Sequence, residues 1–344
     1  MIYNKLQYKK CWITVNRDCN IACKWCYAKN IDKNEICRMP LTSAKKIVDM
    51  CKELGITSVV LIGGEPTLYQ PLIDLISYCK HLNINTTLIT NGIKLSDEIY
   101  CRELIHAGLT GVNLSLKGND KENFEVVSGK DYFEKVLQGI ENINKNNLSN
   151  SVSMVITNEN INTFLDGIRA AKSAGAKFFT LSYCYNFNVC GEKDYLTKNN
   201  IRALIDGFVE NYEKLDKITE GKFSFSQSLP LCLWDDAFIK KLETKGQISS
   251  VCQLLKRAGL IFDTEGNLIP CNAMHQLKLG KLGKDFNSAK ELLEYIDNKK
   301  INNVYDKLCA VPDKLCLECE KYANCGGGCV TQWTNYNFDE IKNI

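Results

Sequence analysis

Long apolar runs, basic clusters and histidines are all scarce in this 344-residue chain. No uninterrupted apolar run approaches the roughly 18 residues that a membrane-spanning helix needs, so a membrane protein is not expected. The formal net charge is only +3, and no stretch combines clustered basic residues with aromatics, which argues against a nucleic-acid partner. The first ten residues are polar and precede no apolar segment with a cleavage site, so export is not expected either.

Cysteine is abundant where histidine is rare: the chain has 18 cysteines and three histidines. In a small secreted protein so many cysteines would indicate disulfides, but nothing here marks secretion. Metal or redox chemistry is therefore the better interpretation. His81 and His106 lie near predicted helix ends, whereas His275, four residues after Cys271, is the one histidine near a predicted site.

Six short β-branched runs alternate with amphipathic segments of helical period. The runs are CWITV (11–15), ITSVVLI (56–62), INTTLIT (84–90), GVNLSL (111–116), SVSMVIT (151–157) and KFFTLSY (177–183). Between the first two, Thr42 is expected to cap a helix that Gly55 follows as a C′ glycine. This alternation predicts parallel strands with right-handed crossovers, and hence an α/β fold with a partial (β/α)6 TIM-like barrel.

The helical and strand periodicity weakens after the sixth run, and most of the remaining cysteines lie there. We therefore predict a domain boundary near residue 220. It divides the chain into a partial barrel at residues 1–220 and a small cysteine-rich domain at residues 221–344.

Cys19, Cys23 and Cys26 directly follow the first predicted strand, with the spacing C-x3-C-x2-C. In a parallel barrel the carboxyl ends of the strands carry the chemistry. Structural zinc sites and ordinary [4Fe-4S] clusters use four protein ligands, so three thiols leave one coordination position open. The alternative is a zinc site that a cysteine from elsewhere completes. After the second strand comes GGEPT (63–67), whose two glycines permit close approach of a small ligand to the backbone.

Together, the cysteine loop and GGEPT resemble the radical S-adenosylmethionine (radical SAM) superfamily in sequence, spacing and order. The resemblance implies that Cys19, Cys23 and Cys26 hold a [4Fe-4S] cluster whose open iron binds SAM. The reduced cluster would then cleave SAM to a 5′-deoxyadenosyl radical that abstracts hydrogen from a carbon atom. The residues implied to contact the SAM amino group are Gly63, Gly64, Glu65 and Pro66.

Three further positions match the family at strand ends. Trp25 corresponds to an aromatic residue whose backbone contacts adenine, and Ser115 to a serine that faces the SAM ribose and carboxylate. Asn91, in the TNG that ends the third strand, lies where another SAM contact is expected. Each also fits an ordinary residue at the end of a strand.

One departure from the family concerns the SAM carboxylate, which related enzymes often pair with an arginine after the fourth strand. This sequence has no arginine between Arg102 and Arg169. Lys117 and Lys130 are the candidates to replace it, although a lysine lacks the planar bidentate fork of arginine.

The C-terminal cysteines form a second pattern, C-x13-G-x4-C from Cys252 to Cys271, followed by C-x2-C-x5-C-x3-C. It resembles the SPASM domain, an extension of radical SAM enzymes that normally binds two auxiliary [4Fe-4S] clusters. The resemblance assigns to the first auxiliary cluster Cys252, Cys271 and Cys329. It assigns to the second Cys316, Cys319 and Cys325.

The family pattern also calls for a further cysteine after Cys329, and this chain has none. We expect Cys309 to replace it in the second auxiliary cluster and Cys232 to complete the first. Otherwise one iron atom is open to substrate. Zinc is the alternative for the run from residue 316 to residue 329, because C-x2-C pairs are common zinc ligands.

Cys184 and Cys190 lie at and just after the end of the sixth strand, where either is a candidate hydrogen donor to a substrate radical or a simple packing residue. Cysteines inside predicted strands and helices are expected to be small buried hydrophobes. They are Cys11, Cys51, Cys79 and Cys101. Asn272 stands where the sulfatase-maturating relatives have a catalytic aspartate, which counts against that activity.

Members of the family with SPASM domains mostly act on peptides. The resemblance therefore implies a ribosomal-peptide maturase that forms a thioether or carbon–carbon crosslink. An epimerase or dehydrogenase acting on a peptide or small molecule is the alternative, and a non-catalytic iron–sulfur or zinc scaffold is an alternative of another class. A one-electron reductant such as flavodoxin or ferredoxin is implied, and oxygen-sensitive clusters imply a reducing cytoplasm. Because the first strand begins near residue 11, we expect a separate leader-binding protein or direct recognition of the peptide.

Overall fold

The computed structural model of the chain describes residues 8–28, 37–183, 201–226, 229–249, 252–309 and 314–333. Within these ranges, no helix combines the length and the apolar character that crossing a bilayer would require.

The described strands form one sheet of 11 strands in the order β11-β10-β9-β1-β2-β3-β4-β5-β6-β7-β8. The first six are β1 Lys10–Asn16, β2 Ser58–Gly63, β3 Asn85–Thr90, β4 Leu109–Leu116, β5 Ser149–Ile156 and β6 Phe179–Tyr183. The others are β7 Phe223–Ser226, β8 Ile248–Ser249, β9 Gly259–Phe262, β10 Asn267–Leu268 and β11 Gly280–Lys281. All pairings from β9 through β1 to β8 are parallel, whereas β10 pairs antiparallel with both β9 and β11. Within the described ranges the sheet stays open, as a partial barrel does.

Helices cross between most of the parallel strands. Those in the first two thirds of the chain are α1 Leu41–Glu53, α2 Leu72–His81, α3 Glu98–Ala107, α4 Lys121–Ser128, α5 Phe133–Lys145, α6 Phe164–Ser173 and α7 Ile201–Thr219. The later ones are α8 Asp236–Thr244, α9 Gln253–Lys256, α10 Ala289–Ile296, α11 Lys299–Leu308, α12 Tyr322–Cys325 and α13 Val330–Trp333. The predicted α/β class is therefore confirmed.

Helix α1 illustrates how the pattern sets the packing. Its buried face carries Ile47, Val48 and Cys51, which recur at helical spacing against the sheet. The helix begins two residues earlier than expected: Pro40 occupies the N-cap position without a side-chain cap, and Thr42 lies inside the first turn. Gly55 follows the helix with a φ of 72°, as the C′ position predicts.

The residues after 220 extend the same sheet at both edges. Strand β7 adds to β6, while β9 adds to β1 on the opposite side. An aromatic cluster of Tyr183, Phe225 and Trp234 packs the chain after β7 against the barrel, with Trp234 stacked on Tyr183 at 6.1 Å between ring centroids. The predicted domain boundary near residue 220 stays a prediction.

Candidate functional site

The carboxyl ends of β1 and β2 meet through backbone hydrogen bonds. Gly64 N–H donates to Asn16 O at 2.9 Å, and Glu65 N–H donates to Asp18 O at 2.7 Å. A Cβ at Gly63 would lie 2.3 Å from Asn16 Oδ1, and one at Gly64 would lie 2.4 Å from the Asp18 carbonyl oxygen. The two glycines are therefore required for the contact between the two strand ends, a reason that the sequence pattern did not reveal.

The Glu65 carboxylate is used within the protein. It is 1% exposed and accepts hydrogen bonds from Thr67 N–H and Oγ1–H at 3.0 and 2.7 Å. It also accepts from Thr90 Oγ1–H at 2.6 Å and from Asn91 N–H at 2.8 Å. Three of these hydrogen bonds are to Oε1 and one is to Oε2, so they satisfy much of the acceptor capacity of the carboxylate. Glu65 thus holds the end of β2 to the end of β3, and its predicted contact with SAM stays a prediction.

A cavity of ≈370 Å³ opens at this edge of the sheet. Its wall includes all three cysteines of the N-terminal loop, Cys19, Cys23 and Cys26. Of the other residues predicted to bind SAM, those that line it are Trp25, Gly63, Gly64, Asn91 and Ser115. Glu65 and Pro66 lie outside the lining residues. The strand ends therefore bring most of the predicted site residues to one cavity.

The cysteine loop is fixed to α4 and the segment that follows β5. Ala22 N–H donates to Ser128 O at 2.9 Å, and Lys24 N–H donates to Val127 O at 3.0 Å. The Lys24 ammonium also pairs with Glu159 at 3.3 Å. These contacts give the loop a defined conformation beside the cavity.

Burial raises the pKa of Cys19 to about 11, and the Ile21 N–H lowers it in part while Glu65 raises it. Burial likewise raises the pKa of Cys23, against which the positive charge of Lys117 acts. Asn91 Nδ2–H lies 4.0 Å from Cys19 Sγ as a weak donor. A soft metal would have to displace the thiol protons, and the same positive groups would then stabilise the bound thiolates.

The donors facing the cavity fit an iron–sulfur cluster better than a single metal ion. Within the described ranges, no group of three or more His, Cys, Asp or Glu side chains converges on one ion. A four-iron cluster contacts each thiolate through a different iron atom, so its ligands need not converge. Three thiols at one wall with polar groups of Asn91 and Ser115 at the same cavity suit a cluster with a polar ligand beside it.

The two lysines that are candidates to pair with the SAM carboxylate differ in their position relative to the cavity. Lys117 is half-buried, lines the cavity and acts on the Cys23 thiol. Lys130 is exposed and is not among the residues that line the cavity. Cys184 and Cys190 lie outside the described residues, although Ser182 and Tyr183 just before them belong to the cavity wall.

The cavity wall also holds residues that sequence reasoning missed. Tyr27 directly follows the cysteine loop, and its hydroxyl donates to Gly63 O at 3.3 Å. Burial raises the pKa of Tyr27, with Cys26, Cys271 and Cys19 adding to the effect. Its position next to Cys26 was the available signal. Cys271 and Asn272 line the same cavity, so a C-terminal cysteine lies beside the N-terminal loop.

The C-terminal cysteines fall into two groups. Burial raises the pKa of Cys271 to about 12, and Cys252 and Cys329 contribute to the rise. Burial also raises the pKa of Cys309 to about 11; Arg257 opposes this rise and Cys252 adds to it. Cys252 therefore lies near both Cys271 and Cys309.

The second group surrounds Cys232. Burial raises the pKa of Cys232, and Cys325, Cys316 and Cys319 raise it further. Leu231 N–H donates to Cys325 Sγ at 3.3 Å, directly beside Cys232. Cys232 thus lies near Cys325, whereas the expectation from spacing placed Cys232 with the first set and Cys309 with the second; which set each one completes stays a prediction.

The sequence comparison agrees with the site. Residues 13–175 match the radical SAM superfamily. The chain contains a radical SAM domain. The matched range runs from β1 to the segment before β6, and it includes the three-cysteine loop and the residues at the ends of β2, β3 and β4 that face the cavity.

Solved structures with a similar fold are radical SAM proteins of low sequence identity. Streptococcus suis SuiB bound to precursor peptide SuiA gives a TM-score of 0.72 at 18% identity, with 95% of this chain and 72% of that chain covered. Native anSMEcpe with bound AdoMet gives 0.69 at 20% identity, with 97% and 98% covered. At such identities the similarity shows the fold, including the part that follows the radical SAM domain.

Curated proteins that are similar in sequence to the radical SAM domain are named differently from these two solved structures. A probable GTP 3′,8-cyclase of Sulfurisphaera tokodaii is 35% identical over 161 residues, which cover 45% of this chain and 49% of that protein. One from Pyrococcus abyssi is 32% identical over 133 residues, covering 39% and 42%. The chain thus spans about half the length, or less, of these two relatives.

Proposed function

We propose that this protein is a radical SAM enzyme that abstracts hydrogen from a peptide substrate and forms a thioether or carbon–carbon crosslink in it. The proposal rests on one observation: all three loop cysteines line the same cavity at the carboxyl ends of the strands, together with Gly63 and Gly64. Cys19, Cys23 and Cys26 would hold a [4Fe-4S] cluster. When SAM is bound there, the reduced cluster supplies the electron that yields a 5′-deoxyadenosyl radical.

The protein's own residues would bind and orient SAM around this cavity. Gly63 and Gly64 line the cavity and would contact the amino group, while Asn91 and Ser115 offer polar groups at the ends of β3 and β4. We assign the SAM carboxylate to Lys117, because it is the half-buried cation of the cavity wall and Lys130 is exposed. Trp25, also in the wall, would contact the adenine through its backbone.

The apolar part of the wall would exclude water from the reactive site. Ile21, Ile62 and Ile89 contribute branched side chains beside the cysteines. Excluding water would favour the proposed reaction, because a carbon radical formed in the cavity must react with the substrate rather than with a competing hydrogen donor.

A peptide substrate is supported by the similarity over nearly the whole chain to SuiB with its precursor peptide and to anSMEcpe with a bound peptide. The competing proposal is that the substrate is a nucleotide rather than a peptide, because relatives are named GTP 3′,8-cyclase. The two such relatives described above match less than half of this chain, whereas the match to SuiB covers 95% of it, including the C-terminal cysteines. An epimerase acting on a peptide is the remaining alternative.

The C-terminal cysteines would hold two auxiliary [4Fe-4S] clusters in a SPASM-type extension. They would accept the electron that remains after bond formation. Flavodoxin or ferredoxin would supply the first electron. Since clusters of this kind need a reducing compartment, we place the protein in the cytoplasm.

The test of SAM chemistry is anaerobic incubation of the reduced, iron-loaded chain with SAM, followed by chromatography for 5′-deoxyadenosine. We expect product from the native chain and none from Cys23→Ala. Cys101→Ala, a substitution in a buried cysteine of α3 that is remote from the motif, is the matched control and should retain activity.

The substrate class is tested by mass spectrometry with short precursor peptides encoded near the gene, and with GTP in parallel. A crosslink lowers the peptide mass by two hydrogens. Deuterium incorporation from D₂O without mass loss would indicate an epimerase instead. Turnover of GTP with no change in any peptide would overturn the peptide assignment.

A further inference from the structure

The C-terminal extension poses a question about ligands, because the expected last cysteine after Cys329 is missing. Two other cysteines, Cys232 and Cys309, lie near the predicted sets. Which set each one joins decides whether an auxiliary cluster keeps an iron atom open to substrate.

The segment around Cys232 is held directly against the run from residue 316 to residue 325. Leu231 N–H donates to Cys325 Sγ at 3.3 Å. Four residues after Cys232, the Asp236 carboxylate at the start of α8 forms an ion pair with the Lys321 ammonium. Trp234, 6% exposed in the aromatic cluster, fixes the turn that carries Cys232.

Within the second set, the backbone folds the cysteines toward one another. Cys319 N–H donates to Cys316 O at 3.4 Å, and Tyr322 N–H donates to Cys319 O at 3.0 Å. Cys325 ends the short helix α12 and is 8% exposed.

Three glycines with positive φ, Gly326, Gly327 and Gly328, separate Cys325 from Cys329. Left-handed backbone at three consecutive positions turns the chain sharply, and glycine is the residue that adopts it without strain. This turn lets two cysteines only four positions apart belong to different sets.

Cys309 is held near Cys252 by Arg257. The guanidinium donates to Asn302 Oδ1 at 2.6 Å, pairs with Asp306 at 3.7 Å and lies 4.3 Å from the Tyr305 ring centroid. Those three partners lie on α11, and Cys309 is the residue that follows this helix. Arg257 comes five residues after Cys252, so it fastens the two cysteine-bearing segments together.

We propose that Cys232 is the fourth ligand of the cluster held by Cys316, Cys319 and Cys325, and that Cys309 is the fourth ligand of the cluster held by Cys252, Cys271 and Cys329. The inference rests on the proposed auxiliary clusters. Each set then has four thiolates, which is the full ligand number of an ordinary [4Fe-4S] cluster. Neither auxiliary cluster has an iron atom for substrate, so their role is electron transfer.

The pairing is tested by iron counts in a background that removes the N-terminal cluster, Cys19→Ala, Cys23→Ala, Cys26→Ala. Two auxiliary clusters give about eight iron atoms per chain in that background. We expect Cys232→Ala and Cys316→Ala each to lose about four iron atoms, and the two together to lose no more, since ligands of one cluster are not additive. Cys232→Ala with Cys252→Ala should lose all eight.

The same scheme applies to Cys309, with the partners reversed. Cys309→Ala with Cys252→Ala should lose about four iron atoms, and Cys309→Ala with Cys316→Ala about eight. Iron losses that add within one proposed set, or that do not add between the two sets, would overturn the assignment. An unchanged iron content in Cys232→Ala or Cys309→Ala would overturn it as well. Cys79→Ala, in the buried face of α2, is the control that keeps all the iron.

Thiol labelling of the native chain gives a test that does not depend on the variants folding. Cys232 and Cys37 are both exposed, so both should react with iodoacetamide unless a cluster protects them. Of these two cysteines, we expect Cys37 alone to be labelled in the iron-loaded chain, and both to be labelled after the iron is removed. Labelling of Cys232 at full iron content would contradict the proposal. None of these measurements needs SAM cleavage, so a failure here is distinct from a failure to form 5′-deoxyadenosine.

Discussion

At the scale of single residues, Glu65 shows how a motif can serve the fold and the site together. Its carboxylate accepts from Thr67, Thr90 and Asn91, all at the carboxyl ends of neighbouring strands. The sequence motif predicted a SAM contact for this residue. That contact stays a prediction, and the side chain also fixes the backbone at the edge of the cavity.

Glu65→Ala would leave buried donors on Thr67, Thr90 and Asn91 without an acceptor. We expect the free energy of unfolding to fall by at least about 2 kcal/mol, because unpaired buried donors retain the full cost of desolvation. Urea denaturation under anaerobic conditions measures it. Glu53→Ala, at an exposed position of α1, should change it by less than about 0.5 kcal/mol. Equal effects of the two substitutions would contradict the role of Glu65.

Lys117 and Lys130 offer a matched pair for SAM binding. Lys117→Ala removes the half-buried cation at the cavity, so we expect at least about a tenfold rise in the Kd for SAM, the effect of losing one charge-assisted hydrogen bond. Lys130→Ala, at an exposed position, should leave the Kd unchanged. Equilibrium binding to the iron-loaded chain measures both. An unchanged Kd in Lys117→Ala would transfer the carboxylate contact to another residue.

At the scale of elements, the junction of β1 and β2 depends on glycine. A Cβ at Gly64 would lie 2.4 Å from backbone carbonyl oxygens, which cannot move away as the end of a side chain can. A Cβ at Gly111 in β4 would meet Thr87 Oγ1 at 3.6 Å, an ordinary contact. The two glycines therefore differ in function although both lie in or beside strands.

Gly64→Ala should separate the two strand ends and abolish SAM binding, while the chain still folds around its remaining strands. Gly111→Ala should bind SAM as the native chain does. Isothermal titration with SAM, together with circular dichroism to verify folding, makes the comparison. Native-like binding by Gly64→Ala would show that the close approach of β1 and β2 is dispensable.

The first six strands were predictable to within two residues at each end, because each combines β-branched residues with a bounded run of five to eight residues. Strands β7 to β11 were not predicted. They have only two to four residues, too few for periodicity to register, and sheet pairing rather than local preference forms them.

The site was predictable in part for a similar reason. Motifs such as the cysteine loop and GGEPT are local, so their spacing carries the information. The proximity of Cys232 to Cys325 joins positions 93 apart in the sequence, and long-range contacts such as the Leu231–Cys325 hydrogen bond and the Asp236–Lys321 pair create it. Spacing alone therefore could not indicate that these two cysteines lie close together.

At the scale of the whole molecule, the C-terminal part contributes both to the sheet and to the cavity wall. Strand β9 pairs with β1, and Cys271 and Asn272 face the cavity beside the N-terminal cysteines. His275 lies in the same segment and is 2% exposed. Burial, with the charge of Arg17 next, lowers its pKa to about 4, so folding keeps this imidazole neutral.

This depressed pKa links stability to pH. Between pH 6.5 and about 4 the unfolded chain binds one proton more than the folded chain at His275, so the free energy of unfolding falls as the pH falls through this window. The contribution lost is at most about 3 kcal/mol. Denaturation from pH 7 to 4.5 should show a weaker pH dependence in His275→Gln than in the native chain.

His81→Gln is the control for that measurement, because His81 is exposed at the end of α2. It should retain the pH dependence of the native chain. A native dependence in His275→Gln, or a reduced one in His81→Gln, would contradict the assignment.

The measurement that tests the central claim most directly is the electron paramagnetic resonance spectrum of the reduced, iron-loaded chain with and without SAM. We expect SAM to shift the signal of one cluster in the native chain and to have no effect when Cys19, Cys23 and Cys26 are replaced by alanine. A native spectrum that stays unchanged on addition of SAM, at full iron content, would contradict an open iron atom at this cavity.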